Sequence, residues 1–199
     1  MATLPDPAAT DELAERAADL RGRVLDVVRR RGYVRREEPF QLSSGAWSHD
    51  YVDGKRALAG GAELRLAAEA VVASAAERGV RFDAIGGLTM GADPLAYAVA
   101  VVSGANWFSV RKEAKGHGRQ RRIEGAELGP GVSVVVAEDV TSTGRAMLQA
   151  LDAVEEAGAT AVLAVTLVDR GDAAGPALAA RGVPYAPLAT YRDLGITPL

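Results

Sequence analysis

The chain has no cysteine in its 199 residues, which excludes disulfides and thiolate chemistry and suits a reducing compartment. Histidine is almost as scarce, with two in all. His117 has no second His or Cys at ligand spacing and is a poor metal ligand by itself. Positive charge is not in excess: a net charge of −3 and a pI near 5.5 argue against a general nucleic-acid or anionic-membrane surface. No apolar run approaches the length needed to span a bilayer, and Met1 to Pro7 lack the basic start and apolar core of a signal peptide. These absences predict a soluble cytoplasmic protein that binds neither nucleic acid nor membrane. Two nucleotide signatures are missing as well. There is no Gly-x-Gly-x-x-Gly, and no Gly-Lys-[Ser/Thr] of a Walker A loop. The chain contains no internal repeat.

What remains is ordinary in bulk and unusual in places. Hydrophobic residues make up 48% and charged residues 25%, average for a globular protein, and the length suits a single domain over residues 1–199. Residues 1–9, rich in Ala and Pro, read as a flexible terminus. Thr10-Asp11-Glu12 looks like a helix start, followed by an apolar stripe through Leu13, Ala17, Leu20, Val24 and Val28 up to Gly32. Phe40 to Gly45 and Ser48 to Asp53 read as two short strands around a Gly turn. From about residue 61 helix and strand alternate: strands at Asp83 to Gly87, Trp107 to Val110, Val132 to Ala137, Thr160 to Val168 and near Tyr185, with helices between them. Such alternation predicts an α/β fold, a parallel sheet flanked by helices, with the residue 40–53 segment as a small appendage.

In an open α/β sheet the ligand lies outside the carboxyl ends of the strands. That rule selects the loops Leu88 to Pro94, Arg111 to Gly125, Glu138 to Arg145 and Asp169 to Asp172. The third is the most distinctive. A doubly apolar strand, Val132 to Ala137, runs into Glu138 and Asp139 and then into Val140-Thr141-Ser142-Thr143-Gly144-Arg145. A helix through Met147, Leu148, Leu151 and Val154 follows, closed by Gly158. A small-polar turn before a helix aims N–H groups and the positive dipole end at a phosphate. Two carboxylates repel phosphate but accept hydrogen bonds from ribose hydroxyls, so together the segment suits a sugar phosphate. The plainer reading is a strand followed by a Thr/Ser helix cap.

Arg111 to Arg122 concentrates six basic side chains, His117 and two glycines. In an acidic protein this reads as a mobile loop, about residues 112–124, that orders on a polyanion such as a diphosphate and excludes water from it. The plainer reading is a solvated surface loop.

These stretches resemble those of the type I phosphoribosyltransferases and, more specifically, orotate phosphoribosyltransferase. The acid pair and Thr/Ser-rich loop are similar to the motif for 5-phosphoribosyl-1-diphosphate (PRPP). Arg111-Lys112-Glu113-Ala114-Lys115-x-His117 with Ile123-Glu124-Gly125 resembles the orotate enzyme's catalytic loop. Phe40-x-Leu-x-Ser44-Gly45, Tyr51-x-Asp53, Gly86-Gly87-Leu88-x-x-Gly91-x-x-Pro94-Leu95-Ala96 and Asp169-Arg170 extend the likeness over roughly residues 20–195. The resemblance implies a type I fold with an N-terminal hood, and transfer of ribose 5-phosphate from PRPP to orotate in pyrimidine synthesis. Mg²⁺ would be held mainly through the diphosphate, with no direct protein ligand. It further implies that Glu138 and Asp139 meet the ribose hydroxyls and that Val140 through Arg145 hold the 5′-phosphate. Arg111, Lys112, Lys115 and His117 would serve the diphosphate and catalysis, while Ser142 and Arg170 meet orotate. A homodimer with the loop reaching the neighbouring subunit is also implied.

A guanidinium at a strand's carboxyl end can grip a carboxylate through two parallel bonds. For Arg170 the alternative is an ion pair with Asp169 or Asp172. The chain departs from the family at three places: Ser43 and Met90 stand where Lys is frequent, and Ser142 where Thr is usual. Lys55 and Arg56 lie near enough in sequence to compensate for Ser43. Two other readings stay open, a phosphoribosyltransferase for another base and a PRPP-sensing regulator without catalysis.

Overall fold

The computed structural model describes residues 7–41, 45, 47–112 and 122–199. Helix α1 (Pro7–Val27) runs on through a π-helical turn, Val28–Gly32, into an antiparallel hairpin of β1 (Tyr33–Gln41) and β2 (Trp47–Val52). A one-turn helix α2 (Gly54–Ala57) and α3 (Gly61–Glu77) lead into the main sheet. There β3 (Ala84–Leu88), α4 (Asp93–Ser103), β4 (Asn106–Val110) and β5 (Ile123–Gly125) precede β6 (Ser133–Thr141) and α5 (Arg145–Glu156). The chain continues through β7 (Thr160–Asp169), α6 (Ala174–Ala179), β8 (Tyr185–Thr190) and α7 (Tyr191–Leu194).

The sheet order is β5-β4-β3-β6-β7-β8, parallel except for the antiparallel β4–β5 edge. Side chains alternate between its two faces, so β6 feeds both layers of the core. Val135 and Ala137 pack with Leu20 and Val24 of α1, Val71 of α3 and Leu95 and Val99 of α4. Val134 and Val136 pack with Phe108, with Met147, Leu151 and Val154 of α5, and with Leu178 of α6. Burying each such Val, Leu or Phe side chain contributes about 1.5–3 kcal/mol. Between the layers, β3 must lie flat. A Cβ at Gly87 would run into the Ala137 carbonyl oxygen and come within 2.7 Å of Ala92 Cβ, so glycine lets the start of α4 close on the strand.

Several sequence expectations shift. β6 does not stop at the apolar run but carries Glu138 to Thr141 as strand, held by pairing of Val140 with Val168 and Thr141 with Asp169. α1 starts at Pro7, which suits a first helical turn where its missing N–H is not needed, so Thr10 lies inside the helix. β1 starts at Tyr33, well before Phe40, and α6 ends at Ala179, short of Arg181. The Gly158 expectation is met: at φ 82° it ends α5, and the following Ala159 N–H returns to Val154 O at 3.1 Å as in a Schellman turn.

Candidate active site

The carboxyl ends of β3, β4 and β6 open into two adjoining lobes of one cleft that share Leu88, Lys112, Val140 and Ala146. The first, about 810 Å³, is lined also by Lys55, Met90, Gly91, Arg111, Glu138 and Asp139. The second, about 1020 Å³, is lined by Thr141, Ser142, Thr143 and Arg145. The acid pair and the small-polar loop, adjacent in sequence, thus face neighbouring compartments.

In the acid lobe Glu138 is buried. Its Oε1 accepts the Asp139 N–H at 3.0 Å, and Asp139 Oδ1 accepts the Val140 N–H at 2.9 Å. Burial first, then the hydrogen bond and charge of Asp139, push the Glu138 carboxyl up to about 9, with Lys55 pulling the other way. The free pair therefore keeps a proton at neutral pH. Glycine backbones approach it from two sides: a Cβ at Gly91 would come within 2.7 Å of Asp139 Oδ1, and one at Gly54 within 2.9 Å of Asp139 Cβ. The carboxylates thus sit in a slot that any side chain at either position would fill. Among the described residues, no three His, Cys, Asp or Glu side chains could together hold a metal ion. The open lobe beside the two carboxyls leaves room for a Mg²⁺ ion ligated by substrate oxygens and water.

The loop lobe is built by a tight turn. Gly144 takes φ +76°, a left-handed conformation that glycine adopts without a steric penalty, and its N–H donates to Thr141 Oγ1 at 3.0 Å. Among the described residues, no protein acceptor is found for the N–H groups of Ser142 and Thr143. Both flank the N-terminus of α5, where a phosphate is favoured. Arg145 and Lys112 bring positive charge to the same lobe. Arg111 leaves β4 paired with Glu124 at 2.7 Å, and its N–H donates to Arg122 O at 2.8 Å. Lys115 and His117, and also Ser43 and Ser44, lie outside the described residues.

Arg170 follows β7 beside this turn, its N–H donating to Thr141 O at 2.7 Å. Its side chain is buried and lines neither lobe. Nη1 donates to Asp50 O at 2.7 Å, Nη2 lies 3.5 Å from Ser48 Oγ, and Nε is buried without a partner among the described residues. The alternative pairing with its neighbours does not occur. Asp169 accepts from Gly171 N–H and the Tyr185 hydroxyl, while Asp172 accepts from Tyr191 and Arg192. Burial lowers the Arg170 pKa, opposed by the charge of Asp50, whose carboxylate is occupied by Tyr33 at 2.8 Å and Arg35 at 2.9 Å. This guanidinium is bonded to neutral oxygens under the hairpin, an arrangement that leaves its charge short of a direct anionic partner.

Comparison with known proteins identifies the family. Residues 61–181 match the phosphoribosyl transferase domain. An orotate phosphoribosyltransferase of Corynebacterium glutamicum is 41% identical over 181 residues, covering 90% of this chain and 96% of that one. One from Streptomyces coelicolor is 41% identical over 173 residues, covering 84% and 92%. The chain belongs to the orotate phosphoribosyltransferase family. Its structure is similar to that of the Mycobacterium tuberculosis orotate phosphoribosyltransferase in complex with PRPP, with a TM-score of 0.74 and 34% identity over 89% of this chain and 99% of that one. An adenine phosphoribosyltransferase from Rhodothermus marinus, 20% identical with a TM-score of 0.59 over 85% and 99% of the two chains, shares the fold alone.

Sequence reading missed how Gly54 and Gly91 shape the acid slot, which no local pattern could announce because their constraint comes from β6. Lys55, offered by the sequence as a stand-in for the lysine absent at Ser43, lies in the acid lobe beside Met90, far along the chain from the other cations of the cleft.

Proposed function

We propose that the chain transfers ribose 5-phosphate from PRPP to orotate, giving orotidine 5′-phosphate and diphosphate, in pyrimidine synthesis. The observation that carries this reading is the juxtaposition of the acid pair, the Thr141–Arg145 turn and the Arg111–Lys112 cations around one cleft. The 5′-phosphate lies on the Ser142 and Thr143 amides at the start of α5, and the ribose hydroxyls donate to Glu138 and Asp139. The C1–O bond to diphosphate loosens, its electron pair leaves with the diphosphate, and a ring nitrogen of orotate attacks C1 as its N–H proton passes to solvent. Arg111, Lys112, Lys115 and His117 hold the growing negative charge, so catalysis is mainly positioning and electrostatics. Mg²⁺, arriving with the diphosphate, supplies further charge neutralisation. Ser142 and Arg170 meet the acceptor: the orotate carboxylate takes the guanidinium edge now used by the Asp50 carbonyl and Ser48.

The active form is a homodimer in which the Arg111–Arg122 segment reaches the second copy. Support comes from exposed apolar side chains on α4 and β4: Val101, Val102, Tyr97 and Trp107, the last two stacked edge to face at 4.8 Å.

Loss of orotate absorbance, dependent on PRPP and Mg²⁺, tests the activity, with uracil, hypoxanthine and adenine as competing acceptors. Turnover of another base but not orotate would overturn the choice of acceptor. Arg170→Ala should weaken orotate by roughly 2–5 kcal/mol, the usual cost of truncating one partner of a buried charge pair, and leave PRPP binding nearly unchanged. Equal losses for both substrates would instead mark Arg170 as a support for the hairpin.

A further inference from the structure

Lys55 is the cation of the acid lobe that the reading above leaves without a role. It sits on α2, across from the end of β4, and the helix is pinned at each side. Asp53 N–H donates to Gly32 O at 2.8 Å, and Asp53 Oδ1 caps the helix by accepting Arg56 N–H at 2.9 Å. Gly54 is buried tightly against Asp139 and Val140. The next residue is therefore delivered to the acid pair by backbone packing rather than by a pliant loop. Lys55 itself is exposed, lines the lobe with Glu138 and Asp139, and among the described residues has no ion pair within 4.0 Å. Its charge is felt at Glu138. Opposite, Arg111 is already engaged by Glu124, and Met90, 71% exposed in the same lobe, brings no charge.

An anionic sugar entering a compartment floored by two carboxyls is repelled unless cations stand on its walls. Arg111 and Lys112 provide one wall. We propose that Lys55 is a PRPP-binding residue that provides the other, its ammonium bridging the acid pair and the anionic groups on the bound sugar. The groups facing the pair are then Lys55 from α2, Arg111 and Lys112 from the end of β4, and the uncharged Thr89–Gly91 backbone from the end of β3. This inference rests on the PRPP reading, and the experiment separates the two.

PRPP with Mg²⁺ is titrated calorimetrically into wild type, Lys55→Ala and Lys55→Arg, with thermal melting as a check on folding. Failure of wild type to bind PRPP would overturn both readings. If wild type binds, Lys55→Ala should bind about tenfold or more weakly, and Lys55→Arg should recover most of the loss. A loss under about threefold, or a loss that Arg does not restore, would each overturn the role of Lys55 while leaving the enzyme reading intact.

Discussion

At the scale of single residues, the site is governed by a carboxyl placed where charge is costly. Glu138 is raised from 4.5 to about 9, so between those values the folded chain holds a proton that the unfolded chain has released. Stability then falls as pH rises through that window. Glutamine keeps the shape and has no proton to lose. Glu138→Gln should therefore lie close to wild type in melting temperature near pH 5 and exceed it near pH 8.5. Scanning calorimetry at the two pH values measures the gap, and a gap that does not change with pH would mean that the pair is ionised in the free protein. The same variant should bind PRPP less well, since the stability gain comes from removing the acceptor proposed for the ribose hydroxyls.

At the scale of elements, what could be read locally came through and what depended on a neighbour did not. The run Val132 to Ala137 identified β6, and the helical spacing through Val154 with Gly158 identified α5. The extension of β6 through Glu138 and Asp139 was not legible, because it is imposed by the ladder to β7 and not by the side chains. β5 is three residues long, too short to show alternation, and β1 is mostly exposed, with four charges in succession from Arg35 to Glu38, so it lacks the apolar pattern of a core strand. Within the site, Glu138, Asp139, Arg111, Lys112 and the Thr141–Arg145 turn could be chosen from residue type, and they do share a cleft. The burial of Arg170 beneath the hairpin could not. Gly87 illustrates the same dependence: nothing in Gly86-Gly87-Leu88 states that the Ala137 carbonyl and Ala92 lie where a Cβ would be. Gly87→Ala should force β3 away from β6 or α4, costing roughly 1–3 kcal/mol by overpacking, read from urea unfolding. An unchanged midpoint would mean that the sheet yields at that point without penalty.

At the scale of the whole molecule, the apolar patch on α4 and β4 is the surface that a second copy is expected to cover. Val101, 85% exposed, contributes little to the core, so Val101→Asp should fold normally yet sediment as a monomer. If the segment beginning at Arg111 completes the neighbour's site, activity should fall with the dimer. Mixing Lys115→Ala with Asp139→Asn chains, each nearly inactive alone, should then restore turnover in hybrids with one intact site. Subunit exchange is verified with differently tagged chains; inactive hybrids would place each segment over its own subunit.

The pairing of β4 with β5 bears on how freely the sequence between them can change. Arg111 and Arg122 are joined backbone to backbone at 2.8 Å, so the sheet gathers the two ends of the intervening chain before that chain adopts any arrangement of its own. For a flexible connection, the entropy of closing such a ring grows only with the logarithm of its length, about 0.6 kcal/mol for each doubling. Insertions and deletions between these two arginines are therefore nearly invisible to the stability of the domain. On the proposed reading, the length of the segment answers to the reach its chemistry requires, and selection on turnover can lengthen, shorten or recompose it without renegotiating the fold.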